Sequence, residues 1–183
     1  MTFSNPLSPI YDSFEVAREC FKVARRTIDS QIAELIHRTP FVGATPQAAA
    51  SAIDGAQQQA FDLAILALWS TFERHVIEHL QTGSELLAKG HPEQYSVKLA
   101  NKFRNEVEFW KIDDILDLFK AEVDPALIGQ AKQIKRYRDW IAHRNPKRPL
   151  PTKATPETTF AVLTAVIDQI RAAHIPEVEE AVD

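Results

Sequence analysis

Apolar positions recur along this chain at helical spacing, and the polar breaks between them read as helix starts. Phe14, Ala17, Phe21, Ala24 and Ile28 fall on one face of a first helix, predicted over residues 13–37. A second, long helix is predicted over 46–80. From Ala60 to Leu80 it is apolar nearly all round: Phe61, Ile65, Leu68, Phe72 and Val76 form one stripe, and Leu66, Trp69, Ile77 and Leu80 another. Such a helix contacts neighbours on several sides and belongs at the centre of a bundle. Further helices are predicted over 96–120, 125–143 and 156–173. Thr45-Pro46, Asp124-Pro125 and Thr155-Pro156 each set a capping side chain before a proline at the first helical position. Asp12 with Glu15 has the spacing of a capping box. Residues 39–45, 81–95 and 144–155 are expected to be loops. The fold class that follows is all-α, a single-domain bundle of about five helices over residues 12–175. An N-terminal tail (1–11) and an acidic C-terminal tail (176–183) flank it.

Two charges interrupt the apolar stripes. Glu73 breaks the second stripe of the long helix. Arg138 falls within the arc of Leu127, Ala131, Ile134 and Ile141 on the fourth helix. A carboxylate in such a place calls for a partner, because burying it alone is costly. Arg138 can be explained in two compatible ways: it reaches Glu73 as an ion pair, or it projects into a cleft where a phosphate sits.

Composition adds constraints. The chain has 183 residues, 45% hydrophobic and 25% charged, with five glycines, which suits a helical globular domain with a real core. The single cysteine, Cys20, excludes an internal disulfide framework and is expected to be a small buried residue of the first helix. Met1 to Pro9 lacks the basic start and apolar run of a leader, and no stretch is long enough to span a bilayer, so a cytoplasmic protein without membrane contact is expected. The net charge is -4, yet Lys132, Lys135, Arg136, Arg138, Arg144, Lys147 and Arg148 crowd into one segment opposed locally only by Asp139. That segment is either a candidate anion site or a solvated basic helix face. Lys153 extends it into the proline-rich loop, which can track a nucleic-acid backbone or serve as a stiff connection.

His143 is predicted in the last turn of the fourth helix, since Asn145-Pro146 follows and the residue before a proline is pushed out of the α region. The negative end of the helix dipole favours a charged histidine there, Arg138 and Arg144 oppose it, and the imidazole suits proton transfer near neutral pH. A second segment, His75-x-x-Glu78-His79, has the spacing of a zinc pattern. Two histidines on adjacent turns can share a metal, but nothing downstream announces a third ligand, so no metal is expected.

The run Arg138-Asp139-Trp140-Ile141-Ala142-His143, late in an all-α chain and followed by a loop, resembles the signature of HEPN ribonucleases, of the RiboL-PSP-HEPN-like kind. The long apolar helix with Trp69-Ser70-Thr71-Phe72-Glu73 is similar to the HEPN helix that packs on the motif helix. Many members carry asparagine after the arginine, where this chain has Asp139. Arg74 to His79 matches the bare pattern too, but with Glu78 at the small-residue position and without basic flanks. The resemblance implies a homodimer with two motifs facing one cleft, cutting RNA without metal or other cofactor. Arg138 would stabilise charge on the phosphate and His143 would be the acid/base, with Asp139 orienting it. Lys135, Arg136, Arg144, Lys147 and Arg148 would bind RNA, and Glu73 would support the motif. Stand-alone members resemble toxins or defence components, so an antitoxin partner is a further expectation. The alternative is a catalytically inactive module of the same type that binds RNA or nucleotide, or that serves only to dimerise or to dock an antitoxin. Arg138 and His143 stand five positions apart, which on an ideal helix separates them by about 140°. A site shared between two subunits would reunite the two functions.

Overall fold

A computed structural model describes residues 4–30, 33–144 and 149–174 of the chain. Among the described residues are seven α-helices, one 3₁₀ turn and no strand: α1 (Ser8–Asp29), α2 (Ala33–Ile36), α3 (Pro46–Ala88), α4 (Glu93–Glu106), the 3₁₀ turn Val107–Phe109, α5 (Ile112–Leu118), α6 (Pro125–His143) and α7 (Pro156–His174). The all-α expectation holds. The count exceeds five because two of the expected helices are divided.

α3 is the axis of the bundle and packs against α1, α4, α6 and α7. Its apolar circumference explains this: Ile65, Leu68, Trp69, Phe72 and Val76 are all buried, although they point in different directions. The main core gathers Leu68, Trp69, Phe72 and Val76 with Val107, Ile112, Ile115 and Leu116 from the α4–α5 region. Ile128, Ala131 and Ile134 of α6 and Leu163, Val166 and Ile167 of α7 complete it. A smaller cluster of Ile28, Ala49 and Ile53 joins α1 to the start of α3.

The proline-marked starts behave as expected. The Thr45 side chain accepts from Ala48 N–H, and the Asp124 side chain accepts from Ala126 N–H at 2.8 Å. Thr155 and Thr158 cap each other reciprocally at the start of α7.

The other boundaries need correcting. α1 begins at Ser8, so Asp12 and Glu15 lie inside the helix and form no capping box. Residues expected in the N-terminal tail anchor that start: Asn5 Oδ1 accepts from Leu7 N–H, Asn5 Nδ2 donates to Thr164 on α7, and Leu7 is fully buried. α1 ends at Asp29, and α2 is a separate short helix. α3 runs on to Ala88 because residues expected in a loop meet α4 side by side. Gln81 donates to the Arg104 carbonyl and the Glu108 carboxylate, and Arg104 donates to Ser84. The helix expected over 96–120 breaks at Trp110 and Lys111, whose extended backbones turn Val107 and Ile112 both into the core. Cys20 is exposed, contrary to expectation, because the buried side of α1 is the Phe14–Ile28 stripe. The tail expected over 176–183 lies outside the described residues.

Candidate functional site

α6 carries the candidate motif and runs as a regular helix from Pro125 to His143. Its buried side is Ile128, Ala131, Ile134, Tyr137 and Ile141, while Leu127, expected in that stripe, is only half-buried. Tyr137 and Ile141 pack with Ile65 of α3 in a small satellite core, edged by Leu66 and Trp140. Glu73 of α3 meets Arg138, and Asp62 of α3 meets Tyr137 and Arg144, so the two helices run antiparallel.

The contact expected between the two interrupting charges is present. Arg138 Nη2 donates to Glu73 Oε2 at 3.1 Å. The same oxygen accepts from the indole Nε1 of Trp69, also at 3.1 Å, and Trp69 is fully buried. Glu73 is therefore fixed by a buried aromatic donor one turn away and in turn orients the guanidinium. The pair is not deeply buried: the two side chains keep 26% and 30% of their exposure. Arg138 Nη1 also donates to Asp139 Oδ1 at 3.0 Å.

Asp139 is engaged by two cations of its own helix. Its second oxygen accepts from Lys135 Nζ at 3.0 Å, so Arg138 and Lys135 occupy the carboxylate. Lys135 also lies 3.3 Å from Asp113 of α5. Partial burial works against the Lys135 ammonium, but the Asp139 and Asp113 carboxylates outweigh it and hold its pKa above the ordinary lysine value. His143 is exposed in the last turn of α6. The helix stays regular to that point, so Arg138 and His143 point in directions well apart and no local distortion brings them together.

The expected basic face is largely neutralised by acids remote in sequence. Lys132 pairs with Asp117, Lys135 with Asp113, Arg138 with Glu73, and Arg144 with Asp62. Asp139 is thus not the only opposing charge: α5 and α3 supply four more carboxylates. Arg136 is exposed and in no ion pair among the described residues. Lys147 and Arg148 lie outside the described residues. Lys153 donates to the Gln58 side chain at 2.7 Å.

Asp62 was not expected in the site. It is 6% exposed and accepts from Gln58 Nε2 at 2.9 Å, from Arg144 Nη2 at 3.0 Å and, at the long distance of 3.5 Å, from the Tyr137 hydroxyl. Burial, and then the Asp62 charge, push the Tyr137 phenol above its ordinary pKa. A signal was available in principle, since Asp62 stands one residue after Phe61 in an otherwise apolar stretch.

The histidine pair on α3 is differently employed. His75 is half-buried with its Nε2 3.4 Å from Arg171 Nη2, and desolvation, reinforced by that guanidinium, lowers its pKa. The His79 ring leans on Phe119. Arg74 pairs with Glu78 and Glu108 at the surface. Among the described residues, no group of three His, Cys, Asp or Glu side chains is placed to hold a metal ion, and no helix is long and apolar enough to cross a membrane. No known family, curated protein or solved structure matches the chain.

Proposed function

We propose that this chain is a HEPN-type, metal-independent endoribonuclease that works as a homodimer. In this reading it is a cytoplasmic toxin or defence component, held in check by an antitoxin protein. The observation that carries the proposal is the preparation of Arg138. A guanidinium in the α6 motif is steered by Glu73, which is itself fixed by the buried Trp69 indole, while a histidine stands exposed in the last turn of the same helix. RNA brings its own nucleophile. The 2′-oxygen loses its proton to one His143 and bonds to phosphorus, the bond from phosphorus to the 5′-oxygen breaks, and a protonated His143 of the second subunit supplies the leaving oxygen with its proton. Arg138 stabilises the charge on the non-bridging oxygens. Arg136, with Lys147 and Arg148, supplies the cations for the RNA backbone.

A second reading is favoured by one specific observation. Arg138 already faces two carboxylates, Glu73 and Asp139, and Lys132 and Lys135 are neutralised as well. A catalytically inactive HEPN-like module that binds RNA or nucleotide, or only dimerises, would tolerate that charge balance. Incubating the purified chain with labelled RNA in EDTA separates the two. The nuclease yields fragments ending in 2′,3′-cyclic phosphate and leaves a strand with a 2′-deoxy residue at the cut site intact. Tight binding with no cutting between pH 5 and pH 9 establishes the inactive module.

A further inference from the structure

Asp62 is a buried charge for which the proposed chemistry has no use, and it has three direct partners, with Lys153 one step removed. Gln58 lies one turn before it on α3, Tyr137 lies on α6, Arg144 ends α6, and Lys153 reaches Gln58 from the approach to α7. Arg144 itself is in a conformation that side chains with a Cβ disfavour: φ 38°, ψ 46°, the left-handed region. Helices commonly end with a residue in this conformation, but the residue is usually glycine. Here an arginine occupies the position, its amide donating to the Trp140 carbonyl at 2.7 Å and its guanidinium turned back onto Asp62. The backbone cost needs an offset, and the ion pair to Asp62 supplies one: that side chain is 8% exposed, while the Arg144 side chain keeps 63% of its exposure.

We infer that Asp62 is a positioning residue for the end of α6: its carboxylate, by holding the Arg144 guanidinium, keeps residue 144 left-handed and so fixes where the helix stops and where His143 stands. The catalytic side of this inference rests on the nuclease reading; the conformational side does not. The contact also engages one guanidinium nitrogen of Arg144, expected among the RNA-binding cations, although the side chain stays exposed.

The test combines amide hydrogen exchange with single-turnover RNA cleavage on the full chain. Asp62→Asn preserves shape and removes the charge. It should speed exchange of the Arg144 amide about tenfold while the middle of α3 and α6 keeps its protection. It should also lower the cleavage rate at saturating RNA about tenfold, with KM for RNA unchanged or lowered, because the freed guanidinium becomes available to phosphate. Adding Arg144→Gly, which adopts positive φ without strain, should restore both the protection and the saturating rate in the double variant. A residue that merely stabilised the fold would loosen α3 and α6 as a whole, and glycine at 144 would not rescue it. Unchanged exchange in Asp62→Asn, or no rescue by glycine, overturns the inference. If the wild-type chain cuts no RNA, the nuclease reading fails and the exchange data alone decide the role of Asp62. Should Asp62→Asn fold poorly, Tyr137→Phe with Arg144→Lys weakens the same contacts and must show the same local loss at residue 144.

Discussion

Removing the Glu73 carboxylate tests how the motif arginine is held. Glu73 Oε2 serves two donors at once, the Trp69 indole and Arg138 Nη2, each at 3.1 Å. In Glu73→Ala the fully buried Trp69 loses its acceptor, and an unsatisfied buried donor costs about 1–3 kcal/mol. The Arg138 contribution is smaller. Both charged side chains keep more than a quarter of their exposure, and Arg138 retains Asp139, so the pair itself is worth roughly 0.5–1 kcal/mol. Glu73→Ala should therefore destabilise by about 1.5–4 kcal/mol, most of it from the stranded indole. Glu73→Gln, which keeps an acceptor for the indole, should cost about 1 kcal/mol or less. The share owed to the ion pair lies below the roughly 3–5 kcal/mol that breaking a fully buried pair from either side would give. Arg138→Ala should cost about 1 kcal/mol, and the Glu73→Ala/Arg138→Ala cycle should return a coupling of at most about 1 kcal/mol. Urea unfolding at constant m-value measures all four. Equal losses for Glu73→Gln and Glu73→Ala would refute the role of the Trp69 hydrogen bond. A coupling near 3 kcal/mol would refute the claim that the pair is solvent-screened.

Three other outcomes are expected. His75 has a folded-state pKa below its ordinary value, first through desolvation and then through Arg171, so the unfolded chain binds the extra proton more readily. Stability should fall as pH drops through the unfolded histidine value near 6.5, and His75→Gln should flatten that part of the urea midpoint profile; an unchanged profile would contradict the assignment. Because Lys132 and Lys135 are already paired with acids, neutralising Arg136 should reduce the salt slope of RNA binding by about one unit, more than either lysine; filter binding across a salt series decides this. Because the proposed step uses the His143 of both subunits, a heterodimer of wild-type and His143→Ala chains should cut about as slowly as the His143→Ala homodimer, whereas a heterodimer that keeps about half of the wild-type rate would contradict the two-histidine step.

The sequence showed the fold where local chemistry decides structure. The proline-marked starts at Thr45, Asp124 and Thr155 were legible because one capping side chain and one fixed φ act within a few residues. The central place of α3 was legible from its apolar circumference. The early start of α1 was not, because it depends on Asn5 reaching Thr164, at the other end of the chain. The break at Trp110 escaped for a related reason: Val107 and Ile112 must both enter one core, which helical period alone does not reveal. In the site, Glu73 and Arg138 stood out as charges within apolar stripes. The neutralisation of the basic segment did not, since Asp62, Asp113 and Asp117 come from other helices. Asp62 was harder to read than Glu73, because its charged partner, Arg144, lies 82 residues further along the chain.

Whether the α6 motif cuts RNA without metal is decided by the rate of single-turnover cleavage in EDTA by the wild-type chain, His143→Ala and Arg138→Ala. EDTA-resistant cutting should fall about 10²–10⁴-fold in His143→Ala and comparably in Arg138→Ala, with His79→Ala close to wild type. Cutting that survives His143→Ala and stops in EDTA would contradict metal-independent cleavage by this motif.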